Sequence, residues 1–119
     1  MKAIFSLFLL FSLSATYAQQ DSLLLQSHIR KFKDAKAYCL SIAGKLDAGK
    51  YDFKPVPAEM SFKEQLLHIA ENIYWLSSTY IREEPNPLKD KMPVAKNMDK
   101  EEVLQLLRNA YDYGIRCMK

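Results

Sequence analysis

The sequence predicts an all-α fold from three observations. Three segments carry apolar residues at helical spacing, two of them open with capping-box patterns, and the prolines gather in the stretches between.

The first residues are read apart from the fold. Lys2 is followed by an apolar run, Ile4 to Leu13, and then by small residues leading to Ala18. That run is too short to span a bilayer, where about 20 apolar residues are needed. Thr16 and Ala18 occupy the small-residue positions that precede a signal-peptidase cut, so residues 1–18 are expected to be a signal peptide and Gln19 the new N-terminus. The mature chain, residues 19–119, is then one helical domain, exported to the periplasm or the medium. No later segment is apolar enough to serve as a stable membrane anchor.

Helix one is expected over Ser22 to Leu46, where Leu24, His28, Phe32, Ala35, Cys39, Ile42 and Leu46 recur at spacings of three and four. Its end is signalled by Asp47, Ala48 and Gly49, with Gly49 suited to a left-handed cap. Pro55 and Pro57 then enforce an extended connector. Tyr51 and Phe53 alternate within it and are expected to lay their rings against the bundle end.

Helix two starts at Ser61, with Glu64 completing a capping box. Phe62, Leu66, Ile69, Ile73, Leu76 and Tyr80 form its main stripe. Leu67, Ala70, Tyr74 and Trp75 widen the apolar surface, so this helix should touch two neighbours. The stretch Arg82 to Met98, with Pro85, Pro87 and Pro93, is longer than a tight turn between antiparallel neighbours and is expected to cross an end of the bundle. Helix three opens at Asp99 with Glu102 in the capping-box position. It continues through Val103, Leu104, Leu107, Ala110, Tyr111, Ile115 and Met118.

Charge and composition exclude several functions. A formal charge of +3, to which Lys2 contributes, is spread over interspersed lysines and acids and gives no nucleic-acid footprint. With three glycines there is no phosphate-binding loop, and no nucleophile elbow or paired-cysteine motif is present. Cys39 and Cys117 lie in helical patterns and read as small buried hydrophobes, with pairing in an oxidising compartment the alternative. His28 reads as a core-edge histidine with one hydrogen bond.

His68 is the best lead. It sits roughly 110° from the centre of the helix-two stripe on a helical wheel, with Asn72 one turn on and Trp75 two turns on. Glu64, one turn before, is placed to hold a ring nitrogen. Taken alone, the residue reads as an ordinary polar side chain at a helix boundary.

The connector residues Tyr51, Phe53, Pro55 and Pro57 lead into Ser61, Phe62, Gln65, Leu66, His68, Ile69 and Ala70. This composite resembles the DinB family of metal-binding four-helix bundles, especially its exported members. The resemblance spans the whole mature chain and implies the first three helices of such a bundle. It also implies a divalent metal, zinc or nickel, held by three histidines, of which His68 matches the first. The other two would form an H-x-x-x-H pair on a fourth helix, and the sequence contains no such pair. It is therefore expected to be a fragment, or a natural truncation, of a longer protein, with metal not stably held by this chain. Asn72, Trp75 and Glu64 would wall the pocket. The family likeness implies a metal-dependent hydrolase or thiol-transferase acting on a small molecule, inactive in this piece, and is compatible with a homodimer. The alternative is a noncatalytic exported module that binds a partner or self-associates. In either case three helices without a fourth should leave an apolar groove beside His68.

Overall fold

A computed structural model describes the backbone of residues 2–119 and the side chains of residues 22–119. Helix α1 spans Lys2–Lys45, α2 Phe62–Leu76 and α3 Lys100–Cys117, joined by short helical turns at Ala48–Lys50, Ser77–Arg82 and Ala95–Asn97. Among the described residues every regular element is helical, as the periodicity predicts. Among the described residues no helix is long and apolar enough to cross a membrane. The signal peptide expected at residues 1–18 lies outside the residues whose side chains are described. Helix α1 extends N-terminal of the expected start at Ser22.

The chain divides into two compact units, residues 1–31 and 32–119. In the first, Leu23, Leu24 and Leu25 are exposed.

The second unit is the bundle. Both capping boxes form as their spacing requires. Ser61 Oγ accepts from Glu64 N at 3.2 Å while Glu64 Oε2 accepts from Ser61 N at 2.6 Å, and Asp99 and Glu102 do the same for α3. Each reciprocal pair satisfies two amides that a helix start leaves without partners.

The end of α1 is closed differently from the expected left-handed glycine. No glycine in the chain has positive φ, and Gly49 lies in the turn Ala48–Lys50. Instead, distant side chains cap the open carbonyls. The Tyr51 hydroxyl donates to Ala43 O at 2.7 Å, and Lys100 Nζ donates to Gly44 O at 2.7 Å and Leu46 O at 2.8 Å. Lysine is favoured there because its charge meets the negative end of the helix dipole.

These contacts fix the helix directions. Tyr51, buried, packs edge-on against Phe62 at 5.3 Å, and Lys100 Nζ stands 5.9 Å from the centre of the Tyr51 ring, so the starts of α2 and α3 lie together at the end of α1. Farther along, Tyr74 stacks on Tyr113 at 4.9 Å, while Phe32 meets Tyr111 edge-on at 5.4 Å. Helices α2 and α3 therefore run parallel, with the 32–45 part of α1 antiparallel to both. The connection between them must return along the bundle, a distance of about 22 Å for a helix of this length. It does not merely cross one end, as its length alone suggested.

The core is Ala43, Tyr51, Leu66, Leu67, Ala70, Val103, Leu104, Leu107, Ala110 and Tyr111. Of the stripe expected to be central in α2, only Leu66 is fully buried. Phe62, Ile69 and Ile73 are half-buried, and Leu76 and Tyr80 are exposed. The buried line runs instead through Leu66, Leu67 and Ala70. Helix α2 is thus rotated so that its second apolar side meets α3. In the connector Tyr51 is buried as expected, but Phe53 is 65% exposed.

Candidate functional site

His68 lies on the exposed side of α2 in a cleft of about 410 Å³. Helix α2 supplies one wall through His68, Glu71, Asn72 and Trp75. The opposite wall is Asn86, Leu88, Lys89, Asp90 and Met92, from the connection that returns along α2. That segment holds its shape locally: Asn86 Oδ1 accepts from Leu88 N at 2.9 Å, and Asp90 takes a left-handed φ of 60°. Aspartate tolerates this conformation better than most residues do.

Asn72 Nδ2 lies 3.0 Å from His68 Nε2. On the other side of the ring, His68 Nδ1 lies 3.9 Å from Glu71 Oε2. The helical spacing that placed Asn72 and Trp75 beside His68 thus brings all three to one cleft. Trp75 is held edge-on by Tyr80 at 6.1 Å. Glu64 stands elsewhere. Its carboxylate accepts from Ser61 N and pairs with Lys54 Nζ at 3.2 Å, and both contacts hold it below the usual glutamate range. The carboxylate near the His68 ring is that of Glu71, which sequence spacing of three could have found. The loop residues gave no comparable signal.

A second cavity of about 360 Å³ opens between the three helices. Phe32 and Ala35 line it from α1, Ile69, Ile73 and Leu76 from α2, and Tyr111 from α3. Asn72 borders both this groove and the His68 cleft. Of the stripe expected to be central in α2, Ile69, Ile73 and Leu76 therefore face an open groove. Burial pushes the Tyr111 phenol at the groove up to about 12, and the adjacent Cys39 thiol adds to the rise. Burial likewise raises Cys39. Cys39 is half-buried and Cys117 buried, and both are free thiols. His28 is exposed, not at a core edge.

The residues present do not fit a three-ligand metal centre. His68 is a single imidazole, with Asn72 Nδ2 3.0 Å from its Nε2. No group of three or more His, Cys, Asp or Glu side chains placed to hold a metal ion occurs among the described residues. A catalytic zinc normally takes three protein ligands and a water, so no chemical step can be routed through a metal held by these side chains alone.

No family model matches the chain, and neither does any curated protein or solved structure.

Proposed function

We propose that residues 19–119 are the first three helices of a DinB-like four-helix bundle, exported by the signal at residues 1–18. In this reading His68 is one ligand of a zinc or nickel site completed by a further helix. The chain by itself is not an enzyme. Metal-dependent hydrolysis or thiol transfer on a small molecule belongs to the completed site, where the metal would lower the pKa of a bound water or thiol.

One observation carries the proposal: an apolar groove lined by three helices adjoins the cleft of the single candidate ligand, and Asn72 borders both. A helix occupying the groove would bring side chains four residues apart to one face, the spacing of an H-x-x-x-H pair. A second reading, a noncatalytic exported module that binds a partner or itself, is favoured by the same groove and by the single imidazole.

Calorimetric titration with zinc and with nickel separates the two. The chain alone should take up no stoichiometric metal. Adding a synthetic amphipathic helix with H-x-x-x-H beside its apolar face should create a site that His68→Ala abolishes. Metal uptake that is unchanged in His68→Ala would sink the ligand role. Groove binding of a histidine-free helix, with no metal response to either peptide, would favour the noncatalytic module.

A further inference from the structure

We propose that Gln19 is a modification site: once residues 1–18 are removed, its side chain closes on its own α-amine to give an N-terminal pyroglutamate. The inference rests on the signal-peptide reading above. Thr16 and Ala18 place the cut so that the new amine belongs to Gln19. This glutamine then differs chemically from every other in the chain, because its α-nitrogen is a free amine and not a peptide nitrogen. The amine attacks Cδ of the carboxamide. The N–Cδ bond forms, the Cδ–Nε2 bond breaks, and ammonia departs carrying one proton from the amine. A lactam remains, and no oxidant, reductant or second substrate enters the balance.

The fold favours this outcome at this place. Helix α1 carries the backbone through this position, so cleavage makes Gln19 the residue that opens the helix. An ammonium there faces the positive end of the helix dipole, whereas the lactam is uncharged. The side chains that follow, Ser22 to Gln26, are all exposed, with Leu23 at 66% and Leu24 at 58%. The terminus thus continues into an open helical segment that a cyclising enzyme can approach. The product has no free α-amine and is closed to aminopeptidases, which suits a chain delivered outside the cytoplasm.

Intact-mass spectrometry tests this on the exported product of the 119-residue chain. The expected species is residues 19–119 lighter by one ammonia, refractory to Edman degradation and to aminopeptidase. Gln19→Ser should be exported and cut at the same bond yet keep a free, degradable terminus. A mature chain that begins at Gln19 with its full mass and a readable terminus would overturn the modification while leaving the signal peptide standing. A chain beginning at any other residue would overturn both, and the mass tells the two failures apart.

Discussion

Gly114 lies where α3 packs against Phe32 of α1 and Ile73 of α2, and substituting it probes how tightly the three helices meet there. A Cβ built there would stand 2.7 Å from Phe32 Cε1, 3.1 Å from Ile73 Cγ2 and 3.2 Å from Phe32 Cζ. Carbon pairs normally rest at about 3.5–4.0 Å. Two effects oppose each other in Gly114→Ala. Alanine gains about 1 kcal/mol of helix propensity over glycine in a helix interior. Overpacking a filled site costs about 1–3 kcal/mol. Because the closest contact is with a ring that is itself wedged against Tyr111, the clash should win by about 1 kcal/mol. For a domain of this size that lowers the melting temperature by roughly 4–8 °C. In a Phe32→Ala background the ring is gone, and adding Gly114→Ala should then stabilise by up to about 1 kcal/mol. The four proteins form a double-mutant cycle, read by urea denaturation under far-UV circular dichroism. A rise in stability for Gly114→Ala alone, or the same change with and without Phe32, would refute the close approach.

Two further perturbations probe the bundle end and the first helix cap. Tyr51→Phe removes the donor that caps Ala43 O while keeping the ring on Phe62, and should cost about 1–2 kcal/mol in chemical denaturation because the carbonyl is left buried. An unchanged midpoint would mean the carbonyl has another partner. Glu64 has a folded pKa below its ordinary 4.5, first through the Ser61 amide and then Lys54, so its contribution is present above that pH and is lost as pH falls through the lower folded value. Melting temperature followed on acidification should therefore fall more steeply for wild type than for Glu64→Gln, and parallel profiles would show that the cap carries no pH dependence.

Local features were legible in the sequence and long-range ones were not. The starts of α2 and α3 were readable because a capping box involves residues three apart and little else. The His68, Asn72 and Trp75 constellation was readable for the same reason, since helical spacing alone puts them on neighbouring turns. The far wall of the cleft was not. Asn86, Lys89 and Asp90 reach it because α2 and α3 are parallel, and that direction follows from contacts such as Tyr74 on Tyr113, separated in sequence by the whole connection and most of α3. The end of α1 escaped prediction likewise, because Lys100 supplies its cap from the start of α3. Glu64 was assigned to His68 on spacing, but its carboxylate accepts from the Ser61 amide and pairs with Lys54 instead.

The rotation of α2 has the largest consequence for function. A helix apolar on two sides can bury either one, and sequence periodicity ranks them by breadth and not by partner. Here Leu66, Leu67 and Ala70 meet the core, which leaves Ile69, Ile73 and Leu76 along the groove. Leu76 and Ile81 remain 45% and 48% exposed. Completing the burial of side chains already half covered is worth about 1 kcal/mol each, before the entropy of association is subtracted. An isolated imidazole offers no comparable gain. In the proposed assembly the apolar face therefore supplies the affinity for the occupying helix, and the histidines on that helix arrive at His68 as a consequence. Metal occupancy should accordingly track helix occupancy: a substitution such as Leu76→Asp, which lines the groove and not the His68 cleft, should weaken metal uptake in the presence of the added helix as surely as His68→Ala does.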